Sequence, residues 1–226
     1  MANTDPLLQE AKKFFWENDI NPEMFQLERF AKFAELIIKK NEELNLVSRK
    51  DVNNIMENHI FISALISEYL PDKVNNFLDI GTGGGFPGIP LAIIRPMMRG
   101  VLVDSIAKKV NAVEEFIDAL KLGNVKAENS RVEEKDFIEK YSKHFDLVIS
   151  RGTAPLIVLL RYSLPVLKDK GYIIALKGGD LADELKKAEM KYKAYIKKRT
   201  VFELPYKPTN TRNEKDKKLV VIEILK

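Results

Sequence analysis

The chain has no cysteine. Disulfides, zinc-thiolate sites, iron–sulfur clusters and cysteine nucleophiles are therefore excluded whatever the fold. Histidine is nearly as scarce: only His59 and His144 occur in 226 residues, and no metal-binding cluster is visible. Long apolar runs are missing too, the longest falling far short of the roughly 18 residues a membrane-spanning helix needs. Met1 to Glu10 is polar rather than a basic stretch leading into an apolar one. The expectation is a cytoplasmic protein with no membrane partner and no metal. Basic charge is absent on balance from the first 180 residues. Residues 181–226 carry 13 Lys and Arg against 7 Asp and Glu, a net +6 on a chain of net +4, so the remainder carries −2. Such asymmetry marks either a face for polyanions or a solvated, lysine-rich helix. For the first of these the candidates are Lys186, Lys187, Lys197, Lys198 and Arg199.

What is present is ordinary for a globular protein, with 45% apolar and 31% charged residues, and the length fits one domain with an appended helical element. Leu7, Ala11, Phe14 and Phe15, and then Phe25 to Ile38 after Asn21-Pro22, recur at helical spacing; a third helix is expected from Asp51 to Tyr69. From Asn76 short apolar runs alternate with helical stretches, the pattern of repeated βαβ units and a parallel sheet. Strands are expected at Phe77–Ile80, Val101–Asp104, Lys126–Asn129, Leu147–Ser150 and Tyr172–Leu176. After a helix around Leu181 to Tyr195, Thr200–Leu204 and Leu219–Leu225 have no room for a crossover helix between them and predict an antiparallel hairpin. The division expected is a helical segment, 1–70, packed on an α/β core, 71–226. Five βα units closed by a hairpin is the order of a Rossmann-like class I methyltransferase; a dinucleotide-binding fold would add a sixth unit.

Phe77 to Gly88 reads FLDIGTGGGFPG, a strand running into a glycine-rich loop that a helix then closes. Glycines at Gly81, Gly83 and Gly85 permit positive φ and close approach of a ligand, and the helix adds its N-terminal amides. Gly83 to Gly88 also satisfies G-x-G-x-x-G, the dinucleotide fingerprint. Asp79 at the strand end favours S-adenosylmethionine, because its charge would repel a pyrophosphate but could receive the donor's amino group directly or through water. Asp104 closes the next strand, where an acid meets the ribose of an adenosine in either ligand class. Ser130-Arg131-Val132-Glu133 follows the third strand, where a main-chain amide and an apolar side chain can recognise adenine. Arg151, after the fourth strand, suits the methionine carboxylate or an RNA phosphate.

Methyl transfer from a sulfonium requires mainly alignment. Pyrimidine C5 methylation proceeds through a cysteine adduct and is excluded. Exocyclic amines are usually handled by an Asn/Asp-Pro-Pro-aromatic motif, where this chain has Ser150-Arg151-Gly152-Thr153-Ala154-Pro155. Guanine N7 carries a free lone pair and needs no base, which suits a chain without a catalytic dyad; no catalytic residue is assigned.

Asn45-Leu46-Val47-Ser48, His59, LDIGTGGGFPGIPLAI from Leu78 to Ile93, Val103-Asp104-Ser105, Ser130 to Glu134, Val148 to Arg151 and Leu176-Lys177-Gly178 together resemble the RsmG (GidB) family, from about Leu44 to the C-terminus. The resemblance implies N7 methylation of one guanine in the decoding-region loop of 16S rRNA, free or in a small ribosomal subunit precursor, with S-adenosylmethionine as donor. It carries cofactor contacts onto Gly81, Phe86, Val132, Glu133 and Arg151, to which the physical argument adds Gly83 and Asp104. A monomer is favoured. The chain departs from the family pattern at Ile62, where relatives commonly have aspartate, and at Gly152, where they often have alanine. Other readings are a methyltransferase of proteins or small molecules, a nicotinamide-dependent oxidoreductase, which Asp79 and the hairpin disfavour, and a non-catalytic rRNA-binding assembly factor.

Overall fold

A computed structural model gives the chain a seven-stranded sheet; residues 5–71, 73–204, 206, 207 and 217–225 are described. The strands are β1 (Asn76–Ile80), β2 (Arg99–Asp104), β3 (Val125–Asn129), β4 (Phe145–Arg151), β5 (Leu167–Gly178), β6 (Ile196–Glu203) and β7 (Lys217–Ile224). Their order is β3-β2-β1-β4-β5-β7-β6, with β1 to β5 parallel and β7 antiparallel to both neighbours. Leu147, Val148 and Ile149 in β4 are all inaccessible, because helices cover both faces of the sheet and leave no polar side to alternate with. The order reverses between β1 and β4, which opens the crevice at the carboxyl ends of the strands where ligands of such sheets bind.

Two helices precede the sheet, α1 (Pro6–Glu17) and α2 (Met24–Lys40). Their apolar stripes bury Phe14 and Phe15 against Phe30 and Phe61, with Phe15 and Phe30 stacked at 4.8 Å, each ring contributing on the order of 2 kcal/mol. Gln26 of α2 donates to the carbonyls of Ile93 and Ile94 at 2.8 and 3.2 Å. It thereby covers the end of α4 (Gly88–Ile94), the helix that follows the glycine loop. One continuous apolar cluster runs from α1 and α2 to beneath the sheet.

The expected third helix is broken into a 3-10 turn (Val52–Asn54), a π-helix (Met56–Phe61), the short α3 (Ile62–Ala64) and a 3-10 turn (Leu65–Tyr69). Its apolar spacing is helical, but the Arg151 guanidinium takes the carbonyls of Asn58 and His59 in mid-stretch; π-turns of this kind concentrate at functional positions. The remaining helices, α5 (Ala107–Ala119), α6 (Lys135–Lys140), α7 (Leu156–Val166) and α8 (Ala182–Tyr192), cross between strands.

β5 begins five residues before the expected Tyr172, since Leu167 bridges Phe145 ahead of the polar Lys168-Asp169-Lys170. β6 starts at Ile196 rather than Thr200 and takes in Lys197, Lys198 and Arg199. An edge strand needs no apolar alternation, and lysines there discourage pairing with another chain. The polar loop expected between β6 and β7 lies mostly outside the described residues.

Candidate active site

Asp79 sits in β1 with no accessible surface. Its Oδ2 accepts from the Thr82 hydroxyl at 2.7 Å and the Gly88 amide at 2.9 Å, so one oxygen ties both ends of the glycine loop to the strand that launches it. Oδ1 is buried and has no hydrogen-bond partner. Burial pushes the carboxyl up to about 7, with the Asp104 charge adding to the rise while the Thr82 and Gly88 bonds oppose it. Gly81, Gly83 and Gly85 all have positive φ, as the sequence requires of them.

Asp104 ends β2 and holds two loops at once. Its Oδ2 accepts from the Gly83 amide at 2.9 Å and its Oδ1 from the Ile106 amide at 3.0 Å. A cleft of about 190 Å³ opens beside it, lined by Ile80, Gly81, Asp104, Val132, Glu133 and Tyr162, among others. Larger hollows exist, one of them around Asn76, Arg99 and Gly123. That one lies at the amino ends of the strands, away from the loop amides and acids, so the smaller cleft is the chemically equipped one.

The cleft thus brings together Gly81, Asp104, Val132 and Glu133, with Gly83 joined through its bond to Asp104. Val132 is itself buried among apolar side chains and Glu133 is exposed. Phe86 and Arg151 lie on the other side of the loop. Phe86 packs against Phe33 and His59, each at 5.1 Å. Arg151 donates to the carbonyl of Asn58 at 2.6 Å, and to the carbonyl of His59 and the Ser63 hydroxyl at 3.3 Å each. Its donors are thus directed at the N-terminal segment, an arrangement the sequence does not announce. Burial lowers its pKa to about 10, opposed by the charges of Asp51 and Tyr206, and it remains a cation near neutrality. His59 is pushed down to about 3, chiefly by burial and then by Arg151, with Asp51 opposing.

The approach of residues 41–47 to the loop is locally encoded. Asn41 Oδ1 accepts from the amides of Leu46 and Val47 at 2.8 and 3.0 Å, turning Leu46 onto Gly84, where a Cβ would stand 3.1 Å from that of Leu46. Sequence reading missed Tyr162, which gave no signal within the apolar stretch Leu156 to Leu164, and Ser63, an ordinary small residue until Arg151 reaches it. Among the described residues no group of three or more metal-capable side chains is present, and no helix is long and apolar enough to cross a membrane.

The basic run of β6 is not at this site. Glu203 pairs with Lys218 beside the carboxyl edge, whereas Ile196 pairs with Ile224, so Lys197 to Arg199 lie toward the opposite end, roughly 20 Å along the strand. Lys197 is moreover paired with Glu223 and Arg199 with Glu189. The basic groups that do lie near the crevice are Arg131, exposed at the cleft's rim, and Lys217 at the start of β7, whose charge reaches His59.

A sheet of order β3-β2-β1-β4-β5-β7-β6 with an antiparallel β7, and a glycine loop between acid-bearing β1 and β2, defines a Rossmann-like methyltransferase. Solved methyltransferases share the fold: an O-methyltransferase of Thermotoga maritima superposes with a TM-score of 0.59 over 86% of this chain and 71% of its own, at 14% identity. The O-methyltransferase TomG of Streptomyces achromogenes does so at 0.58 over 88% and 90%, at 12% identity. The family described as rRNA small subunit methyltransferase G (GidB) matches residues 26–212. The chain belongs to that family. It is 42% identical over 168 residues to the ribosomal RNA small subunit methyltransferase G of Chlorobium chlorochromatii, covering 74% of this chain and 69% of the relative. With the protein of that name from Thermoanaerobacter sp. (strain X514) it shares 33% identity over 188 residues, 81% and 78% of the two chains.

The Asp104→Ala variant releases both loops at once, and should weaken donor binding by about 1 to 3 kcal/mol, the cost of lost charge-assisted hydrogen bonds. Calorimetric titration with S-adenosylmethionine checks this; an unchanged dissociation constant would reduce Asp104 to a turn residue.

Proposed function

We propose that the protein transfers a methyl group from S-adenosylmethionine to N7 of a guanine in the decoding-region loop of 16S rRNA, in the bacterial cytoplasm. The observation that carries this reading is the conjunction at one crevice of a cleft closed by Asp104 and a buried, partnerless carboxylate oxygen on Asp79. That oxygen fits an ammonium group or a water that relays to one. Asp104 accepts the ribose hydroxyls, and the Val132 main chain and Glu133 border the adenine. Gly81 lines the cleft and Gly83, where a Cβ would meet nothing within 4 Å, leaves room for the nucleoside, while Phe86 and Arg151 on the other side of the loop border the methionine end. Residues 1–70 act as a cap on the core, 71–226.

S-adenosylmethionine brings an activated methyl group, so the protein's task is to align the acceptor with it. Guanine N7 has no proton to remove. His59, the histidine near the site, is held neutral by burial and by Arg151, and nothing in the reaction asks it to act as a base.

A pH signature follows from Asp79. Ionised, it attracts the donor's ammonium group; protonated, it does not. With its carboxyl at about 7 in the unliganded protein, donor affinity should fall as pH drops below that value. At saturating donor the single-turnover rate should stay nearly flat from about pH 6.5 to 8.5, for want of a general base. A rate that climbs tenfold per pH unit would contradict N7 as the nucleophile. The direct test is incubation with labelled S-adenosylmethionine and unmodified 16S rRNA, followed by mapping of the label. Label at N7 of one guanine supports the reading; label on another atom, on protein or on no RNA overturns it.

A further inference from the structure

The cleft beside Asp104 has a wall that the strand-end loops do not make. Tyr162 of α7 lines it, and among the described residues there it supplies the aromatic ring, the other apolar side chains being the aliphatic Ile80, Val103 and Val132. α7 buries a stripe from Leu156 to Val166 on the sheet, and Tyr162 stands half-buried at its flank. A helical side chain leans toward the N-terminus of its helix. Because α7 starts beyond the carboxyl end of β4, a residue in the middle of it is carried back toward the crevice. The Tyr162 hydroxyl accepts from Arg161 Nη2 at 3.1 Å, and the Arg161 guanidinium lies 4.9 Å from the ring centroid. The oxygen is thus engaged by a neighbour on its own helix, and what Tyr162 offers the cleft is its ring.

We infer that the Tyr162 ring packs against the adenine of S-adenosylmethionine and sets the affinity for the nucleoside half of the donor. This rests on the reading that the nucleoside lies beside Asp104. There Asp104 takes the ribose hydroxyls, while the Val132 main chain and Glu133 border the edge of the base, and neither contact covers a flat face of the purine. Aliphatic groups cover such a face by area alone. An aromatic ring adds the electrostatic fit of an offset or edge-on pair, and it does so whatever groups the purine carries on its edge. Tyr162 therefore contributes affinity, and the choice of adenine over other bases is left to Val132 and Glu133.

The test is calorimetry with S-adenosylmethionine and with 5′-methylthioadenosine, which keeps the adenine, ribose and sulfur but has no amino-acid end. Tyr162→Ala should weaken both ligands by the same factor, about tenfold or more. Tyr162→Phe should bind both to within about twofold of the parent, since the hydroxyl is bonded to Arg161 and not to the ligand. Weakening of S-adenosylmethionine alone would put Tyr162 at the methionine end, and a loss in Tyr162→Phe as large as in Tyr162→Ala would make the hydroxyl the contact. Either result overturns the inference, as does unchanged affinity in Tyr162→Ala. A second measurement needs no alanine variant to fold. In the parent protein with labelled tyrosine rings and saturating S-adenosylmethionine, nuclear Overhauser contacts should join the adenine ring protons to one tyrosine, whose resonances are missing from the spectrum of Tyr162→Phe. A saturated complex without that contact overturns the inference. S-adenosylmethionine affinity that Asp104→Ala leaves unchanged removes the nucleoside from this cleft, and the inference falls with that reading; a failure confined to Tyr162 leaves the reading standing.

Discussion

Gly83→Val should give a folded protein that no longer binds S-adenosylmethionine, with affinity lower by about 100-fold or more, roughly 3 kcal/mol. Gly83 has φ +56°, and a Cβ built on it meets nothing within 4 Å. The added side chain therefore enters the open space at the crevice rather than the protein's own packing. Holding a β-branched residue at positive φ costs about 1 to 2 kcal/mol, which a core of this size tolerates. The same change at Gly81 would put Cβ 2.3 Å from Thr153 Cγ2 and test the fold instead. Valine also disturbs the loop amide that binds Asp104, so cofactor geometry is lost by steric occlusion and by displacement of the acid. Circular dichroism and a thermal melt establish that the variant is folded, and calorimetry measures the affinity. Undiminished binding in a folded variant would remove the glycine loop from the cofactor site.

Arg151→Ala should lower methyl transfer by about 100-fold or more and destabilise the fold by about 2 to 4 kcal/mol, because three acceptors lose a charged donor together. Asn58, His59 and Ser63 lie 93, 92 and 88 residues from Arg151 in sequence. Without the guanidinium their carbonyls and hydroxyl face a low-dielectric gap, and the broken helical stretch loses its attachment to β4. Arg151→Lys should recover only part of either loss, since one ammonium cannot reach the three acceptors from the position a planar fork occupies. Urea unfolding and kcat/KM on rRNA separate the two effects. An alanine variant as stable and active as the parent would show that the cap is held by apolar packing alone.

The glycine loop was legible because it is written locally. Each of Gly81, Gly83 and Gly85 needs positive φ, and Asp79 and Asp104 stand where their strands end. The exchange of strand and helix periods from Asn76 onward was legible for the same reason, and so was the closing hairpin. Element ends were less so: the extension of β6 through Lys197 to Arg199 depends on its place at the sheet's edge, and no window of sequence says which strand is the edge.

By itself, then, the sequence determined the α/β class, the position of the ligand loop, and, through the absence of cysteine, which methyl acceptors are out of reach. These follow from backbone sterics, side-chain period and chemical inventory, all properties of residues close together or simply counted. Tertiary structure alone decided that Arg151 grips the π-helix, that Tyr162 lines the cleft, and that the basic run of β6 points away from it. Each depends on which strands pair and in what order, and that is set by burial summed over the whole core rather than by any segment of it.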